Sequence, residues 1–287
     1  MTSPAVLARK ETPWIDAWIR WDRGTNTDDD DDDKPNQVAP TDTFSFHYTG
    51  SAEQPDIIDI ELQGFPSDSE QTWNSTGLTL WRSSEHLCKY FVKEWQNGPA
   101  ATGNLFANNR RFLEVGSGLG RGGILALHCL SLTKRPCDDD DDDGKEGNAL
   151  LCLTDGDTDV LHHLRNNVKR NQPKEIQERT NVKLECSQLL WGRNHALEFL
   201  QHVDNQKFDV LFGSDLIYVT KVIQPLFETV SALLAESGCF IMAHCARREG
   251  NEVDVDMIFE AALSLGLKHE IVEEDEDISV FIFRRKA

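Results

Sequence analysis

The chain has 287 residues, and 39% of them are hydrophobic, which is enough apolar material for a sizeable core in one or two domains. Its formal net charge is -20, to which two six-residue aspartate runs, 28–33 and 138–143, contribute 12 negative charges. This balance disfavours direct nucleic-acid binding, because affinity for phosphates rests on clustered Lys and Arg. No apolar stretch reaches the ~20 residues of a membrane span, and the N-terminus lacks a secretory signal pattern, so we expect a cytoplasmic or also nuclear protein.

The aspartate runs divide the chain into segments. Like charges repel and cannot bury apolar surface, so we expect the runs to be solvated loops or linkers. The segment 1–42 then holds an Asp-rich linker and three tryptophans, Trp14, Trp18 and Trp21, whose spacing places them on one helical face. Docking of this face on the body of the protein and substrate binding are both compatible with that pattern. We expect residues 43–287 to form a single domain with an N-terminal extension (43–110) and an Asp-rich insertion (134–148).

The seven cysteines form an odd set with no C-x-x-C pair and no zinc-ligand spacing. We therefore expect a reduced compartment and no metal site.

The extension starts with two short runs of alternating apolar residues, 43–48 and 56–62, which predict a small strand pair. A helix over 83–95 follows, with Leu87, Tyr90, Phe91 and Trp95 on one face. We expect this hairpin and helix to lie against the main domain.

From residue 112 onward, short β-rich runs alternate with stretches of helical periodicity. Strands are predicted at 112–115, 150–154, 182–186, 208–212, 239–243, 269–273 and 279–284, and helices at 121–132, 158–171, 222–235 and 253–265. Repeated β-α-β units predict an α/β fold with a Rossmann-like, seven-stranded, mostly parallel sheet and helices on both faces. Only 274–278 separates the last two strands, which predicts an antiparallel hairpin at the end of the sheet.

The first of these units carries a glycine-rich turn, in which the strand at 112–115 leads through Gly116, Ser117 and Gly118 into a helix. Glycine has no Cβ and tolerates positive φ, so a ligand can approach the backbone N–H groups closely. The dinucleotide fingerprint fails, however, because Arg121 stands at its third glycine position. Glu114, two places before the turn, would repel a pyrophosphate and suits a cationic ligand such as the amino end of a methionine.

The second strand ends at Asp155, whose carboxylate can accept hydrogen bonds from two ribose hydroxyls. Its distance from Gly116 along the chain is longer than usual for such a unit, and the Asp-rich insertion accounts for most of the excess. Asp155 could also cap the following helix, but Asp157 is the better cap candidate, which leaves Asp155 for a ligand.

Five motifs in this order resemble those of the seven-strand S-adenosylmethionine-dependent methyltransferases, specifically methyltransferase family 16, a group of protein-lysine methyltransferases. The resemblance spans roughly 44–285. The motifs are Thr76–Trp81, Glu114–Gly120, Thr154–Asp155, Leu190–Gly192 and Gly213–Tyr218.

The resemblance implies a role for each matching residue. S-Adenosyl-L-methionine would be the cofactor, flanked by Trp81, with Trp191 at the adenine and Ser214 near the sulfonium. Asp215 and Tyr218 would match the family's D-x-x-Y motif and face the incoming lysine. The residues that would line the methionine and ribose side are Glu114, Gly116, Ser117, Gly118 and Asp155.

The resemblance therefore implies transfer of a methyl group to a lysine side-chain amine of a protein substrate, with Asp215 orienting the amine and Tyr218 forming an aromatic wall. We expect no membrane partner, and a monomer. Methylation of histidine, arginine or a small-molecule amine stays open, because the cofactor half of such a fold does not specify the acceptor. A catalytically inactive cofactor-binding interaction protein is a further alternative, against which the intact Asp215–Tyr218 motif argues. A nicotinamide-dependent dehydrogenase is disfavoured by Glu114 and Arg121.

Overall fold

A computed structural model describes residues 41–50, 56–97, 104–133, 149–172, 182–246 and 253–286. The three N-terminal tryptophans, the linker up to residue 40 and the insertion 134–148 lie outside these ranges. The predictions made for them therefore stay predictions.

The central element is a seven-stranded sheet with the strand order β5-β4-β3-β6-β7-β9-β8. All neighbouring pairs from β5 to β7 are parallel, whereas β9 is antiparallel to both β7 and β8. The predicted Rossmann-like sheet with its terminal antiparallel hairpin is thus confirmed. The strands are β3 (Arg111–Val115), β4 (Ala149–Asp155), β5 (Val182–Gln188), β6 (Phe208–Ser214), β7 (Leu234–Cys245), β8 (Leu267–Asp275) and β9 (Ile278–Arg285).

Helices cover both faces of this sheet, as predicted. In chain order the described helices are α1 (Glu70–Asn74), α2 (Ser83–Gln96), α3 (Leu105–Asn108), α4 (Arg121–Leu132), α5 (Thr158–Arg170), α6 (Arg193–His202), α7 (Ile223–Leu233) and α8 (Val255–Ser264). Side chains of α2 to α5 pack in one core on one face, and those of α6 to α8 pack in a second core on the other. Successive residues of β7 alternate between the two cores, as the pleat of a strand requires: Ile241 joins the first and Phe240 and Met242 the second.

Several elements differ from the sequence prediction, among them the short helices α1 and α3, which were not predicted. Helix α6 was not predicted, although Ala196, Phe199 and Leu200 recur at helical spacing and are buried in the second core; the polar residues between them weaken the signal. Strand β7 begins at Leu234, five residues before the predicted start, and the predicted helix over 222–235 correspondingly ends at Leu233. A register shift between Phe208 and Val210 on the neighbouring strand lets β7 pair at Leu234 and again at Cys239.

The extension is confirmed as a two-stranded antiparallel sheet, β1 (Asp42–Thr49) and β2 (Ile57–Gly64). Asn167 of α5 and Asn171, which directly follows this helix, bind the backbone of β2. Asn167 accepts a hydrogen bond from Gln63 N at 2.8 Å and donates to Gln63 O at 3.0 Å, and Asn171 makes the same pair of bonds with Glu61, each at 2.8 Å. Side-chain amides thereby occupy the backbone groups that an edge strand would otherwise leave open.

This docking positions the next segment of the chain. After β2, Phe65 N donates to Leu78 O at 2.9 Å, which holds the short 3-10 helix Thr76–Leu78 beside the glycine turn. A Cβ added at Gly118 would lie 3.2 Å from Gly77 O, so the two segments are in close contact. The extension therefore forms one wall of the space above the carboxyl ends of β3 and β4.

Candidate active site

The glycine turn between β3 and α4 adopts a conformation that favours glycine. Gly116 and Gly118 have φ of +63° and +54°. The turn is tied to β4 by two hydrogen bonds, from Ser117 N to Thr154 O at 2.8 Å and from Gly118 N to the Asp155 carboxylate at 3.0 Å. The parallel strands β3 and β4 therefore place the turn and Asp155 side by side at their carboxyl ends.

The side chain of Glu114 lies beneath this turn and is 3% exposed. It occupies room left by two glycines in the first turn of α4: a Cβ at Gly122 would lie 2.7 Å from Oε1, and one at Gly123 would lie 2.5 Å from Oε2. Burial raises the pKa of Glu114 to about 8, against the opposing effect of hydrogen bonds from Ser117 and Gly123. Among the described residues, Oε2 has no hydrogen-bond partner of good geometry. A buried carboxyl group with an unsatisfied oxygen is suited to accept a hydrogen bond from an ammonium group.

Asp155 is held by the backbone on both of its oxygens. Oδ2 accepts from Gly118 N at 3.0 Å, and Oδ1 accepts from Asp157 N at 3.1 Å. Burial raises its pKa to about 6, although the backbone hydrogen bonds work in the opposite direction. Asp157 caps helix α5 through Asp159 N, as predicted, so Asp155 is not the cap of that helix.

Two indole rings and a hydroxyl border the space beyond the turn. Trp191 lies in the loop between β5 and α6, and its Cζ2 atom would be 3.4 Å from a Cβ at Gly116. Trp81 precedes α2, is 38% exposed and donates from Nε1 to Thr76 O at 2.8 Å. Ser214 ends β6, the strand next to β3 in the sheet.

Asp215 follows β6 with a left-handed backbone, φ +55°, and is 8% exposed. Its two carboxylate oxygens accept hydrogen bonds from Ser83, Oδ2 from the backbone N–H at 2.9 Å and Oδ1 from the hydroxyl at 2.8 Å. The carboxylate thus caps the start of α2, to which Ser83 belongs. A carboxylate oxygen can accept more than one hydrogen bond, so these two bonds do not prevent Asp215 from accepting another from a ligand.

A cavity of about 570 Å³ joins these parts at the carboxyl edge of the sheet. This volume lies within the range of small-molecule and cofactor sites. All ten predicted site residues line it, although their individual roles stay predictions. They are Trp81, Glu114, Gly116, Ser117, Gly118, Asp155, Trp191, Ser214, Asp215 and Tyr218.

The cavity also contains residues that the sequence analysis did not assign to it. Its wall also includes Thr79, Ser84, Arg121 and His195. Ser83 is connected to the cavity through its hydrogen bond to Asp215. Arg121 stacks over the ring of Phe46 at 3.8 Å, so it links the cavity to the hairpin. The two glycines 122 and 123 could have indicated a close contact from the sequence alone, because glycines inside a helix are unfavourable unless close packing requires them.

The arrangement fits a nucleoside that carries an amino acid. The glycine cradle and Asp155 suit hydroxyl donors, Trp191 offers a ring face to a base, and Glu114 offers a buried acceptor to an ammonium group. Among the described residues, no group of three or more His, Cys, Asp or Glu side chains is arranged to hold a metal ion.

Comparison with known proteins gives the family. A model of the lysine methyltransferase family matches residues 67–261. The chain is 24% identical over 213 residues to EEF1A lysine methyltransferase 3 of Mus musculus. The alignment covers 72% of this chain and 71% of that protein. The chain is also 26% identical over 188 residues to protein-lysine N-methyltransferase EFM3 of Chaetomium thermophilum. This alignment covers 64% of this chain and 45% of that protein.

A solved structure, the ribosomal protein L11 methylase of Lactobacillus delbrueckii subsp. bulgaricus, aligns with a TM-score of 0.45 at 14% identity, over 73% of this chain and 81% of that chain. The family match confirms the resemblance drawn from the motifs, and with it the methyltransferase class and the cofactor S-adenosylmethionine. Since the match extends over more than half of its length, the chain belongs to the lysine methyltransferase family.

Proposed function

We propose that this protein transfers a methyl group from S-adenosylmethionine to a lysine side-chain amine of another protein. The observation that carries the proposal is that one cavity is lined both by the Glu114 and Asp155 carboxyl groups and by Asp215 and Tyr218. The names of the relatives, which are lysine methyltransferases, support lysine as the acceptor.

One part of the cavity has the groups needed to hold the cofactor. Asp155 would accept hydrogen bonds from the ribose hydroxyls, since its raised pKa of about 6 still leaves it mostly ionised at neutral pH. Glu114 would accept from the methionine ammonium, which would favour its ionised form. The ring of Trp191 would stack on the adenine.

The other part has the groups needed to orient an amine. The bound cofactor supplies a methyl group on a positively charged sulfur, and its transfer to the amine nitrogen leaves S-adenosylhomocysteine. A free lysine has a pKa near 10.4, so the amine must lose a proton before it can act as a nucleophile. The apolar neighbours of Asp215, Leu216 and Ile217, are buried, and their desolvation of the amine would lower its pKa, in opposition to the effect of the nearby carboxylate.

Asp215 is well placed to fix the direction of that amine. Its carboxylate is held by two hydrogen bonds from Ser83, so the carboxylate keeps a constant orientation. Tyr218 lines the same part of the cavity and would form an aromatic wall beside the lysine stem. Catalysis would then come mainly from alignment of the two reactants, which is worth several orders of magnitude in rate.

The test combines a binding measurement with a transfer measurement. Purified protein should bind S-adenosylhomocysteine by calorimetry and transfer tritium from labelled S-adenosylmethionine to lysines of a lysate, located by mass spectrometry. The Asp215→Ala variant should keep the binding heat and lose the transfer. Label on histidine or arginine alone would reject lysine as the acceptor, and undiminished transfer by Asp215→Ala would reject its role.

We further propose that the protein works as a monomer in the cytosol or nucleus. Cys88, Cys129 and Cys152 are buried thiols within the described residues, which is compatible with a reducing compartment. Of the helices that the structure describes, none has the length and apolar character to cross a membrane. Fluorescence microscopy of the tagged protein and light scattering of the purified protein test the two proposals separately.

A further inference from the structure

A second, smaller cavity opens at the same edge of the sheet, beside the hairpin of β8 and β9. Its volume is about 250 Å³, which suits a single long side chain rather than a nucleoside. Its floor is a row of three residues in register across β7, β9 and β8. His244 pairs with Ser279, and Ser279 pairs with Glu274, so the three side chains lie on the same face.

The wall of this cavity is apolar and its rim is acidic. Val255 and Phe259 of α8 form the wall, and Phe281 extends the floor. Glu276 and Asp277, in the turn of the hairpin, lie at the rim. An apolar wall beneath carboxylates matches the side chain of arginine or lysine, which buries its aliphatic stem and keeps its cationic end at the rim.

His244 is an independent sign that a ligand belongs here. The residue is 2% exposed, and its Nε2 atom is buried without a hydrogen-bond partner among the described residues. Its side chain lies on the same face as Phe240 and Met242, toward the helix that forms the cavity wall. Burial lowers the pKa of His244 to about 4, so the ring is neutral at pH 7 and adds no positive charge that would oppose a cation.

A contact through Arg82 connects this cavity to the active site. Arg82 follows Trp81, which lines the large cavity, and its guanidinium lies 3.4 Å from Asp277 and 3.8 Å from Glu276. Within the described part of the chain, the positive charge of Arg82 is smaller than the combined negative charge of Glu274, Glu276 and Asp277. The two cavities therefore open on neighbouring parts of one surface, within the span of a single bound protein.

We infer that the cavity beside the β8–β9 hairpin binds a basic side chain, best an arginine, of the same protein whose lysine is methylated. The inference rests on the proposed function for the identity of the partner, but not for the chemistry of the cavity. The guanidinium would meet the carboxylates of Glu274 and Glu276, and its N–H groups could also satisfy the buried His244 nitrogen. A metal ion is a poor alternative, because the described residues offer no group of metal-binding side chains.

The first experiment needs no methyl transfer. The imidazole signals of His244, assigned with a His244→Phe variant, are followed by NMR while N-acetylarginine amide is added to the full-length protein. N-acetylcitrulline amide, which has nearly the same shape without the charge, is the control ligand. We expect a saturable shift with the arginine probe and none with citrulline, and no shift with either probe would overturn the inference.

Two charge variants on the same strand sharpen this test. Glu274→Lys reverses a charge at the cavity, whereas Glu270→Lys makes the same change at an exposed position of β8 that does not line it. The shift should survive in Glu270→Lys and disappear in Glu274→Lys. Arg247 and Arg248 follow β7 in the sequence, outside the described residues. A shift that appears only after Arg247→Ser and Arg248→Ser are introduced would assign the cavity to the chain's own arginines and would also overturn the inference.

The second experiment asks whether the basic group belongs to the substrate. Tritium transfer to lysate proteins at limiting substrate should fall about fivefold in Glu274→Lys relative to Glu270→Lys, as loss of a partly exposed ion pair would give. Binding of S-adenosylhomocysteine should be equal in both. Equal transfer by both variants would overturn the link to the substrate. If the wild type transfers no label at all but the NMR shift persists, the proposed function fails while the cation site remains.

Discussion

Replacement of Glu114 by glutamine should make the ligand-free protein more stable at pH 8 and should remove most of its loss of stability with rising pH. The carboxyl group is buried, and its pKa rises from 4.5 to about 8 in the folded protein. Above pH 4.5 the unfolded chain therefore releases a proton that the folded chain retains. The raised folded pKa means that stability falls as pH rises from about 4.5 to about 8, because the unfolded state binds fewer protons.

The size of the effect follows from the same two pKa values. A difference of one pH unit corresponds to about 1.4 kcal/mol, so this group lowers the free energy of unfolding by roughly 3 kcal/mol between pH 5 and pH 8. Glu114→Gln keeps the shape of the side chain and cannot ionise, so its stability should lack this decline. Urea denaturation of both proteins at pH 5 and pH 8 measures the difference.

A surface carboxyl group provides the control. Glu198 lies on helix α6 with its side chain 73% exposed, so Glu198→Gln should leave the pH dependence of stability unchanged. If the wild type and Glu114→Gln lose the same stability between pH 5 and pH 8, the Glu114 carboxyl group is ionised in the free protein. The argument that it awaits a cationic ligand would then be wrong.

The remaining predictions concern ligand affinity and the contacts that build the site. Loss of the Asp155 proton, whose pKa is about 6, should contribute about tenfold per pH unit below pH 6 to the rise of S-adenosylhomocysteine affinity with pH. Calorimetry at pH 5 and pH 7 should therefore show a smaller pH dependence in Asp155→Asn than in the wild type. Ser83→Ala removes one hydrogen bond to the Asp215 carboxylate. The variant should lower kcat more than it changes the affinity for S-adenosylhomocysteine, and it should lower the free energy of unfolding by about 2 kcal/mol. Exposed Ser264→Ala is its control, and an unchanged kcat would refute the role of Ser83. Asn167→Ala leaves Gln63 and Leu119 backbone groups without their partner and should reduce the free energy of unfolding by about 3 kcal/mol, whereas exposed Asn166→Ala should not.

The part of the site around the cofactor could be predicted because its signals are local in the sequence. A strand that runs into Gly116 and Gly118 needs only a few residues to show the turn. Asp155 ends the next strand, and Asp157 two residues later is a recognisable helix cap. Parallel pairing of adjacent strands then brings both segments to one edge, which is a general property of such sheets.

Contacts between distant segments left no comparable signal. Ser83 meets Asp215 across 132 residues, and Asn167 meets Gln63 across 104. Ser, Asp and Asn are common at helix ends and on helix surfaces, so their type alone does not name a partner. The helix at Ser83 could be predicted, but not the carboxylate that caps it, because that depends on how the extension packs on the sheet.

The glycine pair in α4 shows how a local rule is broken for the sake of the site. Glycines 122 and 123 each weaken the helix by about 1 kcal/mol relative to alanine, so packing must explain their presence. A side chain at either position would collide with the Glu114 carboxyl group. The first turn of a helix has N–H groups that cannot all be paired within the helix, and it carries the positive end of the helix dipole, so α4 favours a negative charge near this turn. Burial nevertheless outweighs them, since the pKa of Glu114 still rises to about 8. The free protein thus holds an acceptor that becomes favourable only when a cation lies beside it, so the same glycines that weaken the helix prepare the site for a positively charged ligand.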